Sequence, residues 1–368
     1  MTRSVSTMPG IPDVLSSTEI EATSQYLARL QVASGQIPWW DGGHCDPWNH
    51  VEAAMALAVT GRTEEAKAAY RYLAGTQLGD GSWFNYYVGD FARDLRLDTN
   101  VCAYIAAGLY HYVLVTDDTD FAAELFPVVE RALEFVLRWQ LPDGTIRWSL
   151  DAMGRPEGYA LLTGSSSILH SIRCGVALAE RLDLARPSWE LAAGRLAHAI
   201  AHHRGAFAPK NEFAMDWYYP ILAGALSHEA AIARMSDGWE RHVMEGHGVR
   251  CVSTNDWVTA AETAECVIAL DAIGWTDRAL DLMTLTRRHR REDGSYWTGI
   301  AYPESVTFPD RETTSYTGAA IILAADALLS WSPAAGLFRE GVLPAVIDLA
   351  EPGCPLGLPG ECASRKSV

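Results

Sequence analysis

No apolar run in this chain is long enough to span a bilayer. The longest, such as 318–329, fall short of the ~20 residues a membrane helix needs. The opening Met-Thr-Arg-Ser-Val-Ser-Thr-Met-Pro-Gly has no apolar stretch after Arg3, so no signal peptide is read there and a cytoplasmic location is expected. Basic charge is scarce: 29 Lys and Arg stand against 46 Asp and Glu, a net charge of −17 over 368 residues. A nucleic-acid partner needs a basic face for its phosphates, so that class is excluded. The seven cysteines, at 45, 102, 174, 251, 266, 354 and 362, form no C-x-x-C pair. Neither a structural zinc knot nor a redox motif is indicated, and the sequence calls for no metal and no cofactor. Five of these cysteines read as small buried apolar residues, while Cys354 and Cys362 fall in a Pro/Gly-rich tail. Also missing is any Val/Ile-rich strand pattern of strength comparable to the helical signals.

Aromatics, by contrast, are plentiful. Thirteen Trp and fourteen Tyr accompany an ordinary globular balance of 49% hydrophobic and 20% charged residues. Such side chains fill cores, and they also line pockets for apolar or sugar substrates. Glycine turns recur at Gly35, Gly81, Gly144, Gly205, Gly248 and Gly294, each after an amphipathic segment. Gln31, Gln77 and Gln140 precede three of them by four residues, and Trp83, Trp148, Phe207 and Tyr296 follow four of them. A repeat near 50 residues means stacked supersecondary units. Before each turn the chain is charged on one helical face, as in 62–77 and 118–140. After each turn it is apolar nearly all round, as in 47–59, 98–114, 165–182, 217–227, 258–273 and 314–329. An all-round apolar helix is a buried helix. Six buried and six wet helices in alternation predict an all-α (α/α)6 toroid, a double ring over residues 17–331, with an N-terminal extension 1–16 and a tail 332–368. The tail either caps the closed end or stays unfolded. All six inner helices then begin at one rim, where orphan N–H groups and helix dipoles point.

The turns Gln77-x-x-x-Gly81-x-Trp83 and Gln31-x-x-x-Gly35 resemble the QW-type repeats of the terpenoid cyclase and protein prenyltransferase toroid superfamily. The resemblance runs over nearly the whole chain and implies a small, isoprenoid-like substrate in a central cavity, with cyclisation started by a carboxylic acid. The family's motifs are incomplete here. Leu97 stands where the cyclases' Asp-x-Asp-Asp-Thr cluster puts its proton donor and only Asp98 matches, while Thr317 stands where a prenyltransferase helix puts its zinc-ligating His. Six-hairpin glycosidases share the double ring, and their turns also carry Asp-Gly pairs like Asp80-Gly81, Asp143-Gly144 and Asp293-Gly294.

Candidate site residues gather at the rim. Asp46-Pro47 is helix-start chemistry, but His50 and Glu52 follow within two turns. Asp46 and His50 at i, i+4 read as a carboxylate beside an imidazole, an acid–base arrangement. Asp98 opens the second inner helix as an N-cap, and Asp216 reads as a cap before Trp217-Tyr218-Tyr219-Pro220. Glu262 and Glu265 share one face of an otherwise apolar helix, where a Glu is rare unless paired, and Glu262 is taken as facing the cavity. Trp39, Trp40, Trp48, Trp217, Tyr218, Trp257 and Tyr316 are expected near the same mouth. Their faces suit a carbocation or a sugar ring equally. Three functions therefore compete: an acid-initiated cyclase, which the turn motif favours; a glycosidase or lyase with paired carboxylates from Asp46, Asp98, Asp216 and Glu262; and a toroid that only binds a ligand.

Overall fold

The computed structural model describes residues 7–347. The outer helices are wet on one side, and the inner ones are buried on nearly every side. In chain order they are α1 (Ser17–Leu30), α2 (Pro47–Val59), α3 (Thr63–Thr76), α4 (Thr99–Ala103), α5 (Ile105–Thr116), α6 (Thr119–Leu137), α7 (Leu162–Arg181), α8 (Pro187–His202), α9 (Ala214–Leu222), α10 (His228–His242), α11 (Ala260–Ala272), α12 (Thr276–Leu285) and α13 (Ser315–Leu329). From α2, residues 50–59 are all buried, whereas α1 buries only the stripe Ile20, Thr23, Ser24, Leu27 and Leu30. The second inner helix is interrupted at Tyr104, so α4 and α5 count as one rod. The inner helices pack in the closed order α2, α4/α5, α7, α9, α11, α13 and back to α2. The outer ring is α1, α3, α6, α8, α10 and α12. This is the (α/α)6 toroid that the helical periodicity predicts. The fourth inner helix ends at Leu222 rather than near 227, because Gly224 turns the chain at φ +62°.

The glycine turns have a mechanical explanation. Gly35, Gly81, Gly144 and Gly294 sit at φ +92°, +97°, +83° and +88°, a region that L side chains avoid. Each lies against the next outer helix. A Cβ at Gly35, Gly81, Gly144 or Gly294 would meet the carbonyl oxygen of Ala68, Arg131, Arg195 or Ala22 at 2.3, 2.1, 2.4 or 2.2 Å. Since Ala22 belongs to α1, the last of these contacts closes the ring. Gln31, Gln77 and Gln140 each donate through Nε2 both to their own glycine carbonyl and to a carbonyl of the following outer helix: Glu65, Val128 and Ala192. The Gln-x-x-x-Gly turn is a staple between neighbouring outer helices. Gly205 and Gly248 are not of this kind; the first lies in a short 3-10 turn and the second in a hairpin.

Connections entering the inner helices run from 11 residues (203–213) to 29 (286–314), while those leaving them run from 2 (117–118) to 5 (182–186 and 223–227). One end of the barrel is thus elaborated and the other is tight. The long loops pair as short antiparallel ribbons: β1 (Tyr86–Val88) with β2 (Phe91–Asp94), β3 (Leu97–Asp98) with β4 (Ser149–Leu150), β5 (Val243–Met244) with β6 (Gly248–Val249), and β7 (Trp257–Thr259) with β8 (Gly299–Ala301), which also pairs β9 (Val306–Thr307). The described part of the tail covers the tight end. Phe338 stacks on His170 at 4.6 Å, Arg173 donates to the carbonyls of Leu343 and Pro344, and Arg339 pairs with Asp271 at 2.8 Å. Cys354 and Cys362 lie outside the described residues. Met8, Ile11 and Leu15 of the N-terminal segment are buried against the ring. Among the described residues no helix is long and apolar enough to cross a membrane.

Candidate active site

Asp46 is the N-cap of α2. Its Oδ1 accepts the Asn49 backbone N–H at 3.0 Å, and its Oδ2 accepts the Asn49 side chain at 2.8 Å and the Trp39 indole N–H at 2.6 Å. Burial pushes its carboxyl above the ordinary range, and these donors pull it back. Trp39 comes from the 31–46 loop and is the hub of the mouth. It meets Tyr316 at 4.9 Å, His44 at 4.3 Å, Tyr86 at 6.0 Å and Trp40 at 6.1 Å between ring centroids. Burial keeps His44 below its usual pKa, and its Nε2 is buried with no partner among the described residues. Asp98 repeats the Asp46 arrangement on α4, accepting the N–H groups of Asn100 and Val101 and the Trp148 indole at 2.6 Å. Burial raises it to about 6.

Glu262 lies in the first turn of α11 and Glu265 one turn deeper on the same face. Glu265 is half-buried and accepts the Tyr218 and Tyr219 hydroxyls, the latter at 2.9 Å. Burial raises it to about 7. Glu52, from α2, faces it; burial and then the charge of Glu265 push the Glu52 carboxyl well up. Tyr104 reaches Glu52 at 3.4 Å, and Trp48 lies edge-on to both Tyr104 and Tyr219. Glu52, Glu265, Tyr104, Tyr219, Ser167 and His170 line an enclosed cavity of about 30 Å³ on the barrel axis, room for a water or two. Since Glu265 faces the axis, Glu262 faces it nearer the mouth. Glu262 lies within electrostatic reach of Tyr316, whose phenol is pushed well up by burial and then by Glu262. Tyr316 is the ring that packs on Trp39, and Trp39 holds Asp46. Asp46 on α2 and Glu262 on α11 are thus linked through two aromatic rings along one arc of the mouth, with α13 between their helices.

Several sequence-based expectations are corrected here. His50 does not pair with Asp46. Its Nδ1 accepts the Ile37 N–H at 3.0 Å and its Nε2 meets the Ala69 carbonyl at 2.9 Å, between the rings, and burial lowers it to about 4. An N-cap side chain turns back over its own first turn, so i, i+4 spacing from the cap brings no contact. Glu52 belongs to the deep layer rather than the rim. Asp216 is in the first turn of α9 and caps a different helix, taking the Thr163 N–H at 3.1 Å and its hydroxyl at 2.5 Å at the start of α7. Trp217 points outward, donating to the Arg234 carbonyl and stacking on His242 at 5.1 Å. Tyr218 is buried on Glu265 and Trp48 floors the mouth. Trp257 stands on β7 against Phe308, donating to its carbonyl at 2.9 Å. Sequence reasoning missed the site roles of Tyr86, Asn49, Tyr104, Trp148 and Tyr219. Asn49, three residues after a capping Asp, carried a local signal; the others come together only through the ring. Thr317 is buried and bonded to Thr314, and among the described residues no group of three or more His, Cys, Asp or Glu is arranged to hold a metal.

The chain is 48% identical over 362 residues to an MMP endo-(1,4)-3-O-methyl-α-D-mannosidase from Mycolicibacterium hassiacum, covering 98% of this chain and 97% of that one. No family model matches the chain. Among solved structures it resembles a wild-type glycosidase (TM-score 0.66, 12% identity, 85% of this chain and 96% of that one). It also resembles a D-mannose isomerase (TM-score 0.67, 10% identity, the same coverage). At those identities the likeness is one of fold. These findings overturn the terpenoid cyclase and prenyltransferase resemblance, and with it the isoprenoid substrate and the acid-initiated cyclisation. The glycosidase alternative is the one supported. The error has a physical source: the Gln-x-x-x-Gly turn staples outer helices, a task that every double ring must perform whatever chemistry its mouth carries.

Proposed function

Since the chain belongs to the family of that endo-mannosidase, we propose that it is a glycoside hydrolase that cuts internal α-(1,4) bonds in chains of 3-O-methylmannose. The observation that carries this reading is sequence identity spread over nearly the full length of both chains. The mouth geometry agrees with it. Glycoside hydrolysis needs two carboxylates flanking the bond, one to protonate the departing oxygen and one to activate a water or attack the sugar. Asp46, with both oxygens accepting hydrogen bonds, is set up as the charged partner. Glu262, two helices along the inner ring on α11, is the proton donor. The rings of Trp39, Tyr86 and Tyr316 offer faces for sugar stacking. No metal or cofactor enters this reading.

The test is direct. Oligomers of α-(1,4)-linked 3-O-methylmannose are incubated with the enzyme and the products sized by mass spectrometry. The wild type should yield shorter oligomers from internal cuts. Asp46→Asn and Glu262→Gln should each lose ~10²–10⁴-fold in kcat with melting temperature nearly unchanged, because Asn caps about as well as Asp. Wild-type failure on these oligomers refutes the substrate, and full activity in both variants refutes the site. The anomer of the first product, read by NMR, decides whether Asp46 activates water or attacks the sugar.

A further inference from the structure

The distribution of exposed apolar side chains is lopsided. Eight large ones stand in the mouth loops: Val32, Phe91, Leu95, Met153, Tyr159, Phe213, Val306 and Phe308; among the described residues, three stand at the tight end, Leu184 in a connection and Val342 and Ile347 in the tail. Loops at a solvent face are ordinarily polar, and six of the eight are not scattered. Phe91 and Leu95 lie in the loop entering α4, and Met153 and Tyr159 in the loop entering α7. Val306 and Phe308 lie in the loop entering α13, next to Trp257 in the loop entering α11. The ring order sets α4/α5 opposite α11 and α7 opposite α13. The apolar side chains therefore stand as two walls on two opposite arcs of the rim, α4–α7 and α11–α13, with Asp46 and Trp39 at α2 between the arcs and Tyr316 and Glu262 at the foot of the second. Exposure is high: 79% for Met153, 70% for Phe91 and 53% for both Val306 and Phe308.

We propose that these two walls are the outer subsites of the cleft, one on each side of the bond to be cut, and that they select chains by the methyl ethers on their sugars. This rests on the substrate reading above. An unmodified sugar chain presents hydroxyls at its edges, and exposed Met, Phe and Val side chains gain little from those. A methyl ether replaces a donor with an apolar group that can be buried against them. Two walls suit an internal cut, which needs grip on both sides; a single wall would suit trimming from an end. Each methyl that leaves water against a wall is worth roughly four-fold in affinity, by the free energy of burying one methylene.

The experiment measures kcat/KM for α-(1,4)-linked mannose octamers with and without 3-O-methyl groups, in wild type, Phe91→Ser/Met153→Ser, Val306→Ser/Phe308→Ser and the tight-end control Leu184→Ser. Selectivity for the methylated chain should fall roughly ten-fold or more in each wall variant, since two apolar side chains no longer cover the methyl ethers, and stay unchanged in Leu184→Ser. All five substituted side chains are exposed, so melting temperatures should agree closely, and circular dichroism checks them. Unchanged selectivity in both wall variants, with the wild type active, overturns the proposal alone. An inactive wild type overturns the substrate reading and the proposal with it. A parallel arm spins the proteins with phosphatidylcholine/phosphatidylglycerol vesicles. Wall-dependent pelleting with unchanged selectivity would assign the walls to a lipid surface and likewise overturn it.

Discussion

Replacing Glu265 with Gln should change how stability depends on pH. Glu265 titrates at about 7 in the folded chain against an ordinary 4.5, raised chiefly by burial. Between those two values the folded chain keeps a proton that the unfolded chain releases. Wild-type stability therefore falls as pH rises from 4.5 to 7, and the full penalty stands above 7. The gap of 2.5 pH units at ~1.36 kcal/mol each sets about 3 kcal/mol as the upper end of that penalty, which Glu265 shares with the Glu52 carboxyl it repels. Gln carries no charge to bury, and the Tyr218 and Tyr219 hydroxyls that meet Glu265 can still bond its amide. Urea unfolding of both proteins at about pH 4.5 and about pH 8 supplies the test. The stability of Glu265→Gln relative to wild type should improve from the lower pH to the higher, by up to about 3 kcal/mol. Any fixed packing cost of the variant cancels in that difference. Parallel pH dependences in the two proteins would refute the assignment of a proton to this group, and would move it to Glu52, the carboxylate that Glu265 repels.

Other consequences can be checked separately. Trp39→Phe removes the indole donor from Asp46, so the Asp46 carboxyl should rise and the acid limb of kcat/KM should move to higher pH; an unmoved limb would free Asp46 of the base role. Gly81→Ala forces a Cβ to 2.1 Å from the Arg131 carbonyl at a positive φ and should cost more than ~2 kcal/mol in urea unfolding, while Gly79→Ala, with nothing within 4 Å, should be near neutral. Gln77→Ala breaks the staple to Val128 and should cost ~1–3 kcal/mol without altering kcat of the folded enzyme. His50→Ala should destabilise by a similar ~1–3 kcal/mol, leaving two backbone groups unpaired; loss of turnover in correctly folded protein would return His50 to the catalytic group.

The fold was legible because its information is local and periodic. Apolar residues all round 47–59 or 314–329 can only be buried, charged faces on 62–77 or 118–140 can only be wet, and six alternations have one compact solution. Asp46 and Asp98 as caps were legible too, since capping is settled within three or four residues. The chemistry was not. The turn that invited comparison with cyclases encodes a contact between outer helices, so a fold signal was taken for a functional one. His50 and Asp46 share a sequence neighbourhood but not a direction, as the first belongs to the seam between rings and the second to the rim. Trp217 lies on the fourth inner helix as read, but Asp216, read as its cap, sits inside its first turn; Asp216 serves the start of α7 and Trp217 packs against α10.

The sequence by itself determined that this chain is a double ring with one elaborate end, and that acidic and aromatic side chains crowd that end. Only the tertiary structure decided which of them meet. Trp39 joins Asp46 to Tyr316 across 277 positions of chain, and Glu52 faces Glu265 across 213. Such pairs depend on closure of the ring, a constraint shared by all twelve rods at once, and no window of neighbouring residues carries it.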